Sequence, residues 1–208
     1  AAKDAKVKRV ISASSSSIYG DTPSLPKHEA MAPKPLSPYA VSKLAGETYS
    51  RVFHGVFGLE TIALRYFNVF GPRQDPTSQY SAVIPKFINA ILQDRSPVIY
   101  GDGTQSRDFT YVANVVEANI RAATVSCETG IVMNCACHGQ VTLLELVAAI
   151  NSILGKTIQP EFSDERPGDI KHSFADIEMM KNVLGFSPSI DFRLGLELTC
   201  KHYLRLAK

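Results

Sequence analysis

The chain has no apolar run of the roughly 20 residues a membrane-spanning helix needs, so its 208 residues do not read as a membrane protein. It has little excess charge of either sign. Lys and Arg number 22 against 20 Asp and Glu, a net of +2, which is too small to argue for nucleic acid or a membrane surface as partner. Cysteine is scarce as well. Cys127, Cys135, Cys137 and Cys200 in a chain this long do not make a disulfide scaffold, and a reducing cytoplasm is the expected setting. Residues 1–9 are small and charged and Val10-Ile11 opens only a short apolar run, which does not match a secretory signal. What is present is 45% hydrophobic and 20% charged residues, ordinary for a globular chain with a sizeable core.

Ser37-Pro38-Tyr39-Ala40-Val41-Ser42-Lys43 is the stretch around which the rest is organised. Ser37 is suited to cap a helix, and Pro38 fits its first position because the missing N–H would be unpaired there anyway. Residues four apart share a helix face, so the Tyr39 phenol and the Lys43 ammonium point the same way. A neighbouring cation favours the phenolate, which makes a usable general base. Taken alone, the same spacing fits an amphipathic helix with a core tyrosine and a surface lysine.

In chain order, residues 6–12 read as a buried parallel strand running into the serine run Ser12 to Ser17 and then Ile18-Tyr19-Gly20. Small hydroxyl residues at the carboxyl end of such a strand are where an open α/β sheet presents its ligand crevice. A solvated serine-rich turn is the competing reading. Residues 21–35 are proline-rich and without periodicity, a loop. The Tyr39 helix is expected to stop at Gly58, and residues 60–67 form a second strand, completing a βαβ unit. Later come helices at 79–93, 112–126, 142–154, 176–184 and 192–206, with short extended pieces at 97–101, 131–136 and 160–162. Thr142 followed by Glu145 makes a capping box.

Tyr39-x-x-x-Lys43, the serine run with Tyr19-Gly20, and Arg65-Tyr66-Phe67-Asn68-Val69-Phe70-Gly71-Pro72 together resemble an extended short-chain dehydrogenase/reductase. Arg73-Gln74-Asp75-Pro76, Ala82-Val83-Ile84-Pro85, Ser106-Arg107-Asp108-Phe109 and Arg166-Pro167-Gly168-Asp169 through Ser173 extend the likeness over nearly the whole chain. Within that family it is most similar to the nucleotide-sugar 4-epimerases of the UDP-N-acetylglucosamine type. The resemblance implies an α/β fold: the C-terminal part of a Rossmann-like parallel sheet with helices, plus a smaller α/β substrate-binding domain. Residues 1–76, with helix 112–126 packed on them, would be the late part of the NAD-binding domain, and residues 77–208 mainly the UDP-sugar domain. Such enzymes open with a glycine-rich strand–turn–helix that holds the dinucleotide pyrophosphate. None precedes Val10, so the N-terminal βαβ unit is missing. These residues are expected to be the C-terminal part of a longer enzyme and, taken alone, an inactive fragment.

The resemblance also assigns roles. Tyr39 is the catalytic base, Lys43 holds the nicotinamide ribose, and Ser15 passes the proton between sugar oxygen and phenolate, with Ser16 and Ser17 placed to share that work. NAD would lie against Ser14, Tyr39, Lys43, Tyr66, Asn68 and Val69. The UDP-sugar would meet Ser15, Ser16, Ser17 and Asn68, the uridine contacts Ala82, Val83 and Tyr100, the diphosphate arginines Arg107 and Arg166, and Gln74, Asp169 and Ser173. A homodimer through the Tyr39 helix is implied, although the stripe Val52, Phe53, Val56 fits an intramolecular core equally well. Cys135-x-Cys137-His138 lacks a second ligand pair, so no metal is expected, and His172 reads as a rim residue.

Related activities separate on single residues. A 4,6-dehydratase needs carboxylates where this chain has Ser16 and Ser17, which disfavours dehydration. A UDP-glucuronate 4-epimerase is the runner-up, since nothing in the sequence settles what receives a C6 carboxylate. A UDP-sugar-binding fragment without catalysis is the alternative of another class.

Overall fold

The structure is a computed structural model that describes residues 1–75, 83–165 and 170–206. Val10, Ile11 and the alternation around them form β1 (Arg9–Ser15). A single 3₁₀ turn, Ser16–Tyr19, follows, with Ser15 as its N-cap. Gly20 ends that turn at φ +62°, and a Cβ there would lie 2.1 Å from the Lys34 carbonyl oxygen, so only glycine fits. Then α1 (Pro38–Phe57) begins as its sequence dictates, with the Ser37 hydroxyl accepting from Ala40 N and Gly58 closing it in a left-handed conformation. The strand β2 (Glu60–Tyr66) comes next, and β3 (Val69–Phe70) leads away from it.

The rest of the chain alternates short strands and helices. In order these are α2 (Val83–Leu92), β4 (Val98–Tyr100), β5 (Ser106–Arg107), β6 (Thr110–Tyr111), α3 (Val112–Thr124) and β7 (Ile131–Cys135). After them come β8 (Val141–Thr142), α4 (Leu143–Leu154), β9 (Glu161–Ser163), α5 (Glu178–Leu184) and α6 (Phe192–Leu206). Thr142 and Glu145 complete the capping box of α4 reciprocally.

Among the described residues, the main sheet has the order β1-β2-β7, all parallel. Three two-stranded pairs sit elsewhere: β3 with β6, β4 with β9, and β5 with β8. Two buried clusters result. The first gathers Ile62, Leu64 and Phe67 with Met133 of β7, Ala118 and Ala122 of α3, and Met180 and Leu184 of α5. The second gathers Ile84, Ile88 and Ile91 of α2 with Leu146 and Ile150 of α4, Leu196 and Cys200 of α6, and Phe70. Each fully buried aliphatic side chain there contributes roughly 1.5–3 kcal/mol.

The chain therefore returns to the first cluster more often than the sequence suggested. Not only α3 but also β7 and α5 pack there, so residues beyond 76 complete the sheet as well as the smaller unit. The reason is pairing: β2 needs a partner on its second edge, and the apolar strand β7 supplies it. Val52, Phe53 and Val56 of α1 are exposed, so they are no part of a core within this chain. No helix among the described residues is long and apolar enough to cross a membrane.

Candidate functional site

A cleft of about 440 Å³ opens where the parallel strands β1 and β2 end, the place where an open α/β sheet holds its ligand. Its wall includes Ser14, Ser15, Ser16 and Ser17 from β1 and the following turn, and Tyr39 from the first turn of α1. Tyr66, Asn68 and Val69 come from the end of β2, and Arg107, Ile170 and Ser173 close it from the smaller unit. Residues more than 150 positions apart in sequence thus meet in one place.

The serines are not equivalent. Ser15 Oγ accepts from Ser17 N at 3.2 Å, which fixes its rotamer and leaves its proton to donate. Ser17 Oγ is buried with no partner among the described residues, an orphan that a ligand oxygen would satisfy. Ser14 is buried and donates to Glu47 at 2.5 Å. Tyr39 is 55% exposed. Lys43 lies off the cleft wall: its Nζ donates to the Ala13 carbonyl at 3.0 Å and stands 5.6 Å from the centre of the Tyr39 ring. The ammonium is thus held between β1 and the phenol ring.

On the far wall, Asn68 has φ +34°, a left-handed backbone that asparagine tolerates better than most residues. Its side chain donates to the Asp108 carbonyl at 3.0 Å and holds that conformation. Arg107 Nη1 donates to the carbonyls of Ser106 and Lys171 at 3.0 and 3.1 Å, which aims a guanidinium, a fork suited to phosphate oxygens, along the cleft rim. The Tyr66 hydroxyl donates to Asn119 at 2.9 Å.

Other expected contacts fall elsewhere. Tyr100 lines a separate hollow of about 200 Å³ with Asp21, Asp102, Gln105, Glu165 and Lys171, and among the described residues only Ile170 borders both spaces. Val83 opens α2 and packs on the second cluster, because its helix turns that side chain inward. Gln74 donates to the Val69 carbonyl at 3.4 Å, and its own carbonyl takes the Tyr203 hydroxyl, so it braces the wall from behind. Ala82, Arg166 and Asp169 lie outside the described residues. His172 bonds Ser106 Oγ at 2.8 Å, beside Arg107.

Two features escaped the sequence. Asp108 is fully buried and accepts from Cys137 N at 3.1 Å and Ala175 N at 3.2 Å. Burial pushes its carboxyl up to about 6, against the pull of those backbone donors. The second is an ion pair of Arg65 with Glu47, 2.9 and 2.8 Å at two nitrogens. The only signal for the latter was that Glu47 continues the four-residue spacing of Tyr39 and Lys43. Burial works against the Arg65 charge, but its bonds to Glu47 and Tyr19 leave the guanidinium above its ordinary range. Cys135 is buried, which pushes its thiol up to about 12, and among the described residues no group of three His, Cys, Asp or Glu is placed to hold a metal ion.

Residues 1–136 match the family model of the NAD dependent epimerase/dehydratase family. The chain belongs to that family. It is 47% identical to the solved UDP-N-acetylglucosamine 4-epimerase of Methanobrevibacter ruminantium M1 in complex with UDP-N-acetylmuramic acid, with a TM-score of 0.94 over 99% of this chain and 66% of that one. Against a UDP-glucuronic acid 4-epimerase of Bacillus cereus, solved with UDP-glucuronic acid and NAD, identity is 34% and the TM-score 0.90, covering 99% of this chain and 64% of that one. A UDP-glucose 4-epimerase of Mycolicibacterium smegmatis is 35% identical over 204 residues, 98% of this chain and 64% of its own length. The chain spans 61% and 64% of the first two curated relatives it matches.

Proposed function

We propose that this chain carries the catalytic and substrate-binding part of an NAD-dependent UDP-sugar 4-epimerase, with UDP-N-acetylglucosamine and UDP-N-acetylgalactosamine as its pair and UDP-glucose and UDP-galactose as further substrates. The observation that carries this reading is the single cleft in which Ser15, Tyr39, Asn68 and Arg107 meet at the strand ends. The likeness to the M. ruminantium enzyme supports the N-acetylated substrate.

The residues present fit the nicotinamide end of the dinucleotide: the cleft lies at the carboxyl ends of parallel strands, and Ser17 Oγ is an unsatisfied hydroxyl on its wall. Ser14, Tyr39, Lys43, Tyr66, Asn68 and Val69 would hold it. Bound there, NAD would supply a hydride acceptor and donor for C4 of the sugar. Tyr39 takes the proton of the 4-hydroxyl and later returns it. Ser15, its hydroxyl oriented by Ser17 N, donates to the same sugar oxygen and relays that proton. Lys43, tied to the Ala13 carbonyl, places a positive charge beside the phenolate that forms. Arg107 holds the diphosphate while the sugar turns over, since the sugar itself must remain free to rotate.

A UDP-glucuronate 4-epimerase is the second reading, supported by the B. cereus likeness. The exposed apolar face of α1, with Val56 66% exposed, supports a homodimer through that helix. The test is to give the full-length protein UDP-N-acetylglucosamine deuterated at C4. The expected product is the 4-epimer with its deuterium retained. Loss of deuterium to solvent, or conversion of UDP-glucuronate alone, would overturn the respective part of the proposal.

A further inference from the structure

Twenty residues make up α1, yet only Ala40 and Glu47 of them are buried, with Leu44 packed partly against the first cluster. Within this chain, apolar contact therefore does little to fix how this helix is rotated or slid along the sheet. Polar bonds do that work: Lys43 reaches the Ala13 carbonyl, Ser50 meets Ser12 and Thr61, and the buried set converges on Glu47. Its carboxylate accepts from Ser14 Oγ of β1 at 2.5 Å and from Nε and Nη2 of Arg65 of β2 at 2.9 and 2.8 Å. Ser14 and Arg65 are register partners in the sheet, and Arg65 is in turn the partner of Asn134 on β7. All three are buried. Tyr19, whose hydroxyl accepts from Arg65 Nη1 at 2.8 Å and donates to Asn134 at 2.6 Å, joins the second and third. One buried polar row thus crosses all three strands a single residue before the Ser15–Tyr66–Cys135 row at the strand ends.

Tyr39, Lys43 and Glu47 lie along one stripe of α1, with four residues and about 6 Å of helical rise between each. We propose that Glu47 is a positioning residue, locking α1 onto the Ser14–Arg65–Asn134 row so that Tyr39 and Lys43 are held at a fixed distance from Ser15. This rests on the epimerase reading for its consequence but not for its geometry. Misplacing a reacting group by about 1 Å costs on the order of 100-fold in rate, and a helix whose buried polar anchor is one carboxylate shifts when that carboxylate is changed.

The test uses the full-length protein and three variants: Glu47→Gln, the double apolar replacement Glu47→Leu/Arg65→Met, and Glu60→Gln as a control on the separate Arg9–Glu60 pair. Replacing a buried ion pair as a whole by apolar residues is often neutral for stability, so the double variant separates folding from positioning. Carbon-13-labelled tyrosine gives a ring resonance for Tyr39, assigned by its disappearance in Tyr39→Phe. The expected result is that this resonance moves in Glu47→Gln and in the double variant but not in Glu60→Gln. With it, kcat falls about 10- to 100-fold while KM for the UDP-sugar stays within about threefold, since Arg107 is untouched. An unmoved Tyr39 resonance in folded Glu47→Gln overturns the positioning role, as does full return of kcat in the double variant. A moved resonance in a protein that epimerises no UDP-sugar leaves the positioning role standing and refutes the function instead.

Discussion

The two buried clusters of this molecule are built by different means. The first, on one face of the β1-β2-β7 sheet, is backed on the α1 face by a row of directional bonds that meets it at Tyr19: Glu47 to Arg65, Arg65 to Tyr19, Tyr19 to Asn134. The second is closed by rings. Phe70 meets Phe109, Tyr111 and Phe192 with centroids 6.2, 5.7 and 6.0 Å apart, and the helices α2, α4 and α6 fill the remainder with aliphatic side chains. Hydrophobic packing is non-directional, and on the proposed reading it suits the part that holds a ligand's outer portion. Charge-assisted hydrogen bonds are directional and short, and on the proposed reading they suit the part that holds a phenol, an ammonium and a serine in one geometry. The difference fits the proposal that polar groups are buried where position matters more than net stability, because a buried ion pair adds little to stability against an apolar equivalent.

The largest expected effect breaks the ring-built side. Phe70→Ala removes the aromatic that three others touch, and should cost roughly 3–5 kcal/mol in urea unfolding. In the fraction that remains folded, kcat should be close to wild type, because the rings Phe70 meets, Phe109, Tyr111 and Phe192, do not line the cleft. A large loss of kcat with stability retained would erase the distinction between the two clusters.

Asp108 sits where the two units meet and sharpens the comparison. Its carboxyl is raised to about 6 in the folded protein by burial, against about 3.9 in an unfolded chain. A raised carboxyl destabilises the fold above the folded value, and that penalty is relieved as pH falls from about 6 to about 4, where the folded state keeps a proton the unfolded state releases. At about 1.4 kcal/mol per pH unit, the wild type should gain on Asp108→Asn by up to roughly 3 kcal/mol over that window. Urea midpoints at pH 4, 5, 6 and 7 read this directly, and a difference that does not change with pH would remove Asp108 as its source.

The smallest effect concerns grip alone. Arg107→Ala should weaken UDP-sugar binding by roughly 1.5–3 kcal/mol, the range for a hydrogen bond to a charged group, with little change in kcat. Calorimetric titration with the UDP-sugar measures it. Unchanged affinity would reduce Arg107 to a bracket for the Ser106 and Lys171 carbonyls.

Local signals carried much of this architecture in the sequence. Ser37-Pro38 and Gly58 bracket α1 at the residues where it begins and ends, and the Thr142–Glu145 pair marks the start of α4, because capping depends on neighbours in sequence. The serine run and the Tyr39/Lys43 spacing pointed to a crevice for the same reason. Long-range pairing was less legible. That β7 joins the main sheet and α5 covers it depends on contacts across more than 40 residues, which periodicity does not encode. Arg65 and Asp108 stood within recognisable motifs, but burial decides their chemistry, and burial is a property of the folded chain. Tyr100 and Val83 were expected beside the ligand and lie off the main cleft, since a motif gives an order of residues and not the direction of each side chain.

The most direct test of the central claim, that Tyr39 is the base of this cleft, is the turnover of Tyr39→Phe in the full-length protein with UDP-N-acetylglucosamine. Tyr39 is largely exposed, so its unfolding midpoint should match the wild type and its KM should stay within about threefold. The expected result is a fall in kcat of about 10²- to 10⁴-fold, the contribution of a positioned proton acceptor. A Tyr39→Phe protein that forms the 4-epimer at the wild-type rate would contradict the assignment outright.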